Sequence, residues 1–131
     1  MAKRPASDTI AAIATAPGTG GIGIVRISGP EAPATLRRVF VPRRPLDRFT
    51  SHQLYYGTVI APDGQPLDEA LAVHMHAPHT YTREDVVELH CHGSYLVLQE
   101  VLRHVLALGV RPAEQGEFTK RAFLAGRIDL T

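Results

Sequence analysis

The chain has 131 residues, of which 44% are apolar and 21% charged, and its formal net charge is +1. This composition excludes an intrinsically disordered chain and a strong overall field for a polyanion, so any contact with nucleic acid would be local. A single cysteine excludes an internal disulfide, and no apolar run approaches the roughly 18 to 20 residues of a membrane-spanning helix. The length fits one domain with one core, and the cysteine usage predicts a cytoplasmic protein.

The first two predicted elements are strands that flank a glycine-rich loop. Residues 9–15 and 22–28 are apolar and rich in β-branched side chains. The spacing G-x-G-x-x-G of a dinucleotide-binding loop occurs here. Its glycines are Gly18 and Gly20, between the two segments, and Gly23, at the start of the second. That motif needs a helix after the glycines, whose N-terminus faces the phosphates, whereas a strand follows here. We therefore interpret the spacing as a coincidence.

A helix and a basic connection come next. Residues 28–31 (SGPE) are typical of a helix start, with a proline in the first turn and an acid near the positive end of the helix. The helix is predicted to run to about Phe40. Residues 41–51 are basic and interrupted by prolines, which indicates a solvated surface connection.

A β-hairpin and a further strand follow the connection. Residues 53–60 and 67–76 flank a turn with a Pro-Asp-Gly core, and residues 85–91 form another strand. Alternation in the second hairpin strand divides its side chains between two faces. One face carries Leu71, Val73 and Met75, and the other carries Ala72, His74 and His76.

The last part of the chain is mainly helical. Residues 95–108 have the apolar stripe of an amphipathic helix, which Gly109 ends. Residues 110–114 predict a short edge strand, and residues 117–125 a short helix that ends at Gly126. The order of elements predicts an α+β fold. We expect a two-layer sandwich with a mixed, mainly antiparallel sheet of about five strands and about three helices.

Histidines form two i, i+2 pairs on neighbouring predicted strands. His74 and His76 make one pair, His90 and His92 the other, and His79 is close in sequence. Imidazoles are zinc and nickel ligands, so a small metal-binding domain is one possible interpretation. No third ligand stands at the fixed spacing of a metal motif, and the alternative is histidines on a half-exposed sheet face.

The sequence contains little that predicts catalysis. It has no G-x-S-x-G elbow, and Cys91 lies within a strand pattern that directs it to the core. No G-x-x-x-x-G-K-[ST] loop occurs, so we expect no hydrolysis of GTP or ATP by this chain.

Two charged residues stand in strands that otherwise look buried. Arg26 follows Ile22-Gly-Ile-Val, and Glu88 lies within Val86-Val-Glu-Leu. Buried charges are costly unless they are paired. One interpretation is that the two pair with each other or lie on an exposed face. The other is that they hold a polar ligand, because a carboxylate accepts from adjacent N–H donors and a guanidinium donates to carboxylates or carbonyls.

Three long segments resemble a known family. Residues 8–29, 80–93 and 113–130 are similar to the N-terminal domain of the tRNA-modification GTPases called MnmE or TrmE. That domain is similar in fold to the folate-binding region of the glycine-cleavage T-protein. The resemblance implies a single domain, residues 1–131, that binds a formyl- or methylene-tetrahydrofolate and forms a homodimer. The family's folate contacts correspond to Arg26, Glu88 and Arg127.

The resemblance also implies a larger context. In the full-length family, a helical domain and a GTPase domain follow, and both are expected to be absent from this chain. The parent protein would bind GTP with Mg²⁺ and K⁺. It would work with a flavin-dependent partner on the wobble uridine of tRNA, in a carboxymethylaminomethyl-type modification. The alternative is a stand-alone folate-dependent one-carbon-transfer protein, which would need a catalytic acid or nucleophile in this chain.

Four positions depart from the family pattern. Arg83 stands where T-G-E-D has glycine, Ser94 where H-G-G has glycine, and Gln115 where P-G-E-F has proline. Arg127 stands where lysine is common. Because only glycine takes a positive φ freely, local geometry at positions 83 and 94 is expected to differ from that of the family.

Overall fold

The structure is a computed structural model that describes residues 8–14 and 22–126. In chain order, these residues form β1 (Ile10–Ile13), β2 (Gly23–Ser28), α1 (Ala32–Val39), β3 (Phe40–Pro42), β4 (Leu54–Ile60), β5 (Pro66–Met75), β6 (Val86–Cys91), α2 (Tyr95–Ala107), β7 (Arg111–Pro112) and α3 (Glu117–Leu124). The α+β class and the three helices are as predicted.

All the strands of the described residues lie in one mixed sheet of order β3-β4-β5-β6-β2-β1-β7. Neighbouring strands are antiparallel except for the parallel pair β1 and β7. The sheet has seven strands, where about five were predicted. The three-residue β3 lies partly in the segment predicted as a solvated connection, because buried Phe40 fixes the chain against the sheet edge.

The hydrophobic core lies between the sheet and the helices α1 and α2, which pack on the same face. Ile27 and Leu89 from the central strands meet Leu36 of α1 and Val101 of α2 there, and all four are at most 1% exposed. Cys91 also faces this core, as the strand pattern predicted. Val110 and these two helices close the core on this face of the sheet.

The opposite face of the sheet carries a row of residues in direct register. Ala12, Arg26, Glu88, Val73 and Leu54 occupy neighbouring positions on five adjacent strands. Residues directly opposite each other in a sheet share a face, with Cβ atoms roughly 5 Å apart. The register therefore brings together residues that are far apart in the sequence.

The first helix begins later than predicted. Ser28 is still the last residue of β2, and Gly29 turns the chain with a φ of 138° before α1 starts at Ala32. The proline in the first turn is consequently Pro33, not Pro30. The reason is tertiary: Ser28 is fully buried, and its hydroxyl is hydrogen-bonded to Thr82 and Glu84 of the loop before β6, which keeps Ser28 in the strand.

Gly23 serves the packing of a helix on the sheet. A Cβ at Gly23 would come within 2.1 Å of Leu98 Cδ1, so this glycine allows α2 to pack closely on β2. Gly18 and Gly20 lie outside the described residues.

The structure also tests two departures from the family pattern: Ser94 has a φ of −65° and caps α2, whereas Arg83 has a φ of 65°, in the left-handed region. Of these two residues, Arg83 alone takes a conformation that favours glycine.

None of the helices among the described residues has the length and apolar character needed to span a bilayer.

Candidate functional site

The candidate site is built on the pair that the sequence singled out. Arg26 in β2 and Glu88 in β6 are direct register partners, and Arg26 Nε donates to Glu88 Oε2 at 2.8 Å. The side chains are 33% and 14% exposed, so the pair is partly buried but open on one side. The two interpretations are therefore compatible, because the residues pair with each other and still face solvent. Among the described residues, the Arg26 side chain hydrogen-bonds only to Glu88.

A histidine completes this charged cluster. His90 Nε2 donates to Glu88 Oε1 at 2.9 Å, two residues along the same strand face. The hydrogen bond from His90, followed by that from Arg26, holds the pKa of Glu88 below its ordinary value, although burial opposes the shift. Glu88 is thus an ionised acceptor at neutral pH. A carboxylate has about four lone-pair sites, so it can accept further hydrogen bonds.

Arg26 and Glu88 line a cleft of about 680 Å³ on the face of the sheet that α1 and α2 do not cover. The size falls within the range of roughly 300–1,000 Å³ that is usual for small-molecule sites. Its apolar lining comes from Ala12, Ile13, Ala14, Met75, Val86, Tyr81 and Phe118. The Phe118 ring of α3 lies under the Arg26 guanidinium, with 5.7 Å from the guanidinium carbon to the ring centroid. A flat ligand can therefore meet charge and aromatic surface together.

The wall that carries Phe118 is held by a buried arginine. Arg121 on α3 is 3% exposed at its side chain, and its Nη1 lies 3.0 Å from Glu84 Oε1. Arg121 also pairs with the carboxylates of Asp8 and Glu117. Arg111 joins the same two acids, with 2.6 Å between its Nε and Asp8 Oδ2. This cluster ties α3 to β1, β7 and the loop before β6.

The loop of residues 76–85 forms the other wall of the cleft. The Ser28 hydroxyl donates to Glu84 Oε1 at 2.8 Å and is hydrogen-bonded to the hydroxyl of Thr82 at 2.7 Å. Across the rim, the hydroxyls of Tyr81 and Thr119 are 3.2 Å apart. These contacts join the loop to the sheet on one side and to α3 on the other, so both walls are fixed before a ligand binds.

The chemistry of the cleft suits a flat, polar heterocycle. Glu88 offers an anionic acceptor for adjacent N–H groups, and Arg26 offers a forked donor for a carbonyl or a carboxylate. Tyr81 and Phe118 offer aromatic contact beside these charges.

Sequence reasoning found only part of this site. Arg127, the third predicted contact, lies outside the described residues. Tyr81, Phe118 and His90 were not assigned to the site, although the spacing of Glu88 and His90 on one strand face was a usable signal. For Arg121 the signal was its i, i+4 spacing from Glu117 on the last helix.

The histidine pairs do not form a metal centre. Only one histidine of each pair lies within a strand, His74 in β5 and His90 in β6, and the register places His74 beside Val87 and His90 beside Leu71, on opposite faces of the sheet. His74 instead contacts Asp85, with 3.1 Å between Nε2 and Oδ1. Within residues 8–14 and 22–126, no group of three or more potential ligands could hold a metal ion. The metal-binding interpretation is thus not supported.

Comparison with known proteins agrees with the earlier resemblance. The family model described as the N-terminus of the GTP-binding protein TrmE matches residues 9–127. A tRNA modification GTPase MnmE of Geobacter sulfurreducens is 61% identical over 124 residues, and one of Desulfotalea psychrophila is 58% identical over 125 residues. The alignments cover 94% and 95% of this chain but 27% of each relative. The chain thus spans about a quarter of the length of these curated relatives.

Proposed function

The chain belongs to the family of TrmE N-terminal domains, and from that premise we propose that it binds a tetrahydrofolate one-carbon derivative in the cleft of Arg26 and Glu88. The derivative would be formyl- or methylene-tetrahydrofolate, which would supply its one-carbon unit when bound. The observation that carries the proposal is the Arg26–Glu88 pair, partly buried at 33% and 14% side-chain exposure and lining a cleft of about 680 Å³.

The residues of the cleft fit a reduced pterin. Glu88 is ionised and can accept from the aminopyrimidinone edge, which presents adjacent N–H donors. Arg26 can donate to a ring carbonyl, and Phe118 offers its aromatic face under the same guanidinium. We propose Arg127 as a further contact, toward a carbonyl or a carboxylate of the ligand. Arg26, Glu88 and Arg127 together then form the binding set.

We also propose that this domain forms a homodimer. The row that contains Arg26 and Glu88 continues to Leu54, which is 50% exposed, and Tyr56 on the same face of β4 is 37% exposed. Exposed apolar side chains that extend from a binding cleft are typical of protein interfaces. A second copy covering this face would give twice 14.3 kDa in light scattering. Replacing Leu54 with glutamate would then shift the protein toward the monomer.

In the parent protein, the domain would serve tRNA modification. The relatives' printed name, tRNA modification GTPase, supports a role in modifying tRNA. We propose that the parent acts on the wobble uridine together with a flavin-dependent partner in the cytoplasm, with GTP, Mg²⁺ and K⁺ bound by its GTPase domain. A stand-alone one-carbon transferase has less support. Glu88 is ionised, so it cannot serve as a general acid at neutral pH, and Cys91 is buried.

Calorimetric titration with 5-formyl-tetrahydrofolate tests the folate site. We expect binding by the wild type and a loss of about 1 to 3 kcal/mol in Glu88→Gln, the scale of a charge-assisted hydrogen bond. Glu100→Gln is the matched control, because Glu100 lies on α2 and pairs with Arg103. It should bind as the wild type does. An absence of binding heat with the wild type at two well-separated temperatures would refute folate binding, and an unchanged dissociation constant in Glu88→Gln would remove Glu88 from the site.

A further inference from the structure

A second cleft adjoins the proposed folate cleft. It has a volume of about 480 Å³ and is lined by His52, Met75, Pro78, His79, Thr80, Tyr81 and Arg83. Met75 and Tyr81 line both clefts, so the two are adjacent at the end of β5. Met75 is two residues beyond Val73, the register partner of Glu88, which corresponds to roughly 7 Å along the strand. A ligand seated beside Glu88 can therefore extend into the second cleft.

The second cleft has a positive lining. None of the residues that line it is acidic, and Arg83 carries a full positive charge. Arg83 makes no ion pair with another described residue, unlike Arg26 and Arg121, which are paired with carboxylates. The cleft is therefore suited to an anion, and a guanidinium can take a carboxylate through two hydrogen bonds.

Backbone strain is concentrated in the same cleft. In the described part of the chain, the non-glycine residues with a positive φ are His52, at 67°, and Arg83, at 65°. Both line the second cleft. The turn that holds Arg83 is fixed by its own amide, which donates to the Thr80 carbonyl at 3.3 Å, and by the Thr80 hydroxyl, which donates to the Glu84 carbonyl at 2.6 Å. Residues held in sparsely populated conformations cluster at ligand sites.

We propose that the second cleft binds the carboxylates of a γ-linked oligoglutamate tail on the folate, and that Arg83 determines this specificity. The inference rests on the proposed function, since the pterin must first occupy the cleft of Arg26 and Glu88. The tail is the part of the ligand that carries repeated carboxylates, and the positive lining begins where the first cleft ends at Met75 and Tyr81. Because Arg83 stands where the family pattern has glycine, this contact would be a property of this chain.

Calorimetric titration with monoglutamyl and triglutamyl 5-formyl-tetrahydrofolate tests the inference. We expect the wild type to bind the triglutamyl form about tenfold more tightly, the scale of one charge-assisted contact. Arg83→Gly should lose this gain and bind the two forms with equal affinity. Glycine suits the observed φ of 65°, so the variant should retain the fold. The matched control is Arg44→Ala, which removes an exposed arginine that lines neither cleft and should keep the gain.

Each outcome separates the two proposals. Equal affinities of the wild type for the two ligands would overturn the tail site and leave the folate site standing, as would a gain that persists in Arg83→Gly. Binding of neither ligand would overturn the proposed function. A tri-γ-glutamate peptide without the pterin is expected to bind too weakly to detect. If it bound as tightly as the conjugate, the cleft would be an independent anion site rather than a continuation of the first.

Discussion

Arg121 of α3 and Glu84 of the loop before β6 form an ion pair whose guanidinium is almost entirely buried, with a side chain that is 3% exposed. The pair links the two walls of the candidate cleft. Arg103 and Glu100 on α2 form a comparable pair, but their side chains are 65% and 46% exposed. We therefore expect the buried pair to contribute much more to the free energy of unfolding than the exposed pair, which is screened by water and salt.

The first prediction compares Arg121→Met with Arg103→Met. Removing Arg121 leaves Glu84 in a partly buried position without its cation, which is expected to lower the free energy of unfolding by about 3 kcal/mol. Arg103→Met should leave the stability unchanged. Urea denaturation followed by circular dichroism measures both variants. Equal midpoints would show that the buried cluster does not hold α3 to the sheet.

The second prediction concerns acid stability. The hydrogen bonds from His90 and Arg26 hold the pKa of Glu88 below its ordinary value in the folded state. The ionised carboxylate therefore stabilises the fold fully above the unfolded pKa of about 4.3, and this contribution is lost as the pH falls through the lower, folded pKa.

The wild type should be more stable than Glu88→Gln at neutral pH, and this stability difference should become smaller as the pH falls below about 4.3. The reason is that only the wild type loses a carboxylate interaction there. Thermal unfolding between pH 7 and pH 3 measures the difference. A gap between the two proteins that is constant over this range, or that widens on acidification, would contradict the assigned direction.

Features of this fold could be predicted where residues close together in the sequence determine them, and not where distant residues do. Helix α2 and the strands β5 and β6 follow from local periodicity, since burial on one face imposes a repeat of 3.6 or 2 residues. Arg26 and Glu88 stood out because charges are costly in apolar strands. Their direct pairing across 62 residues depends on strand order, which local patterns do not encode.

The parts that were missed depend on tertiary contacts. Strand β3 exists because Phe40 is buried. The edge strand predicted at residues 110–114 is present as β7, and only its parallel pairing with β1 depends on the tertiary fold. The ion pair of Asp8 and Arg111 joins residues 103 positions apart, so no window of sequence shows it. A strand follows the G-x-G-x-x-G spacing, as predicted, and Gly23 has a packing function that only the contact with Leu98 shows.

The third prediction is that Cys91 does not react in the folded protein. Burial raises the pKa of its thiol to about 12. At pH 8 the thiolate fraction is then on the order of one in ten thousand, and the thiolate is the reactive form. Ellman's reagent should label the native chain far more slowly than the chain in guanidinium chloride, where one thiol reacts at once. Comparable labelling rates in the two states would mean that Cys91 is accessible and outside the core.

The fourth prediction compares the cost of an added Cβ at two glycines that both have a positive φ. Gly29 has a φ of 138°, and a Cβ there would lie 2.6 Å from the Thr9 Cα, whereas Gly64 has a φ of 87° with open space around it. Gly64→Ala should cost about 1 kcal/mol, because a left-handed residue pays only its conformational penalty. Gly29→Ala adds a backbone clash and an inaccessible φ, so it should cost more than about 2 kcal/mol.

Gly29 joins β2 to α1, and its amide donates to the Asp85 carbonyl at 3.0 Å. The clash would therefore also disturb the loop that walls the cleft. Urea denaturation gives the stabilities, and a loss in Gly29→Ala no larger than that in Gly64→Ala would show that Thr9 can move aside.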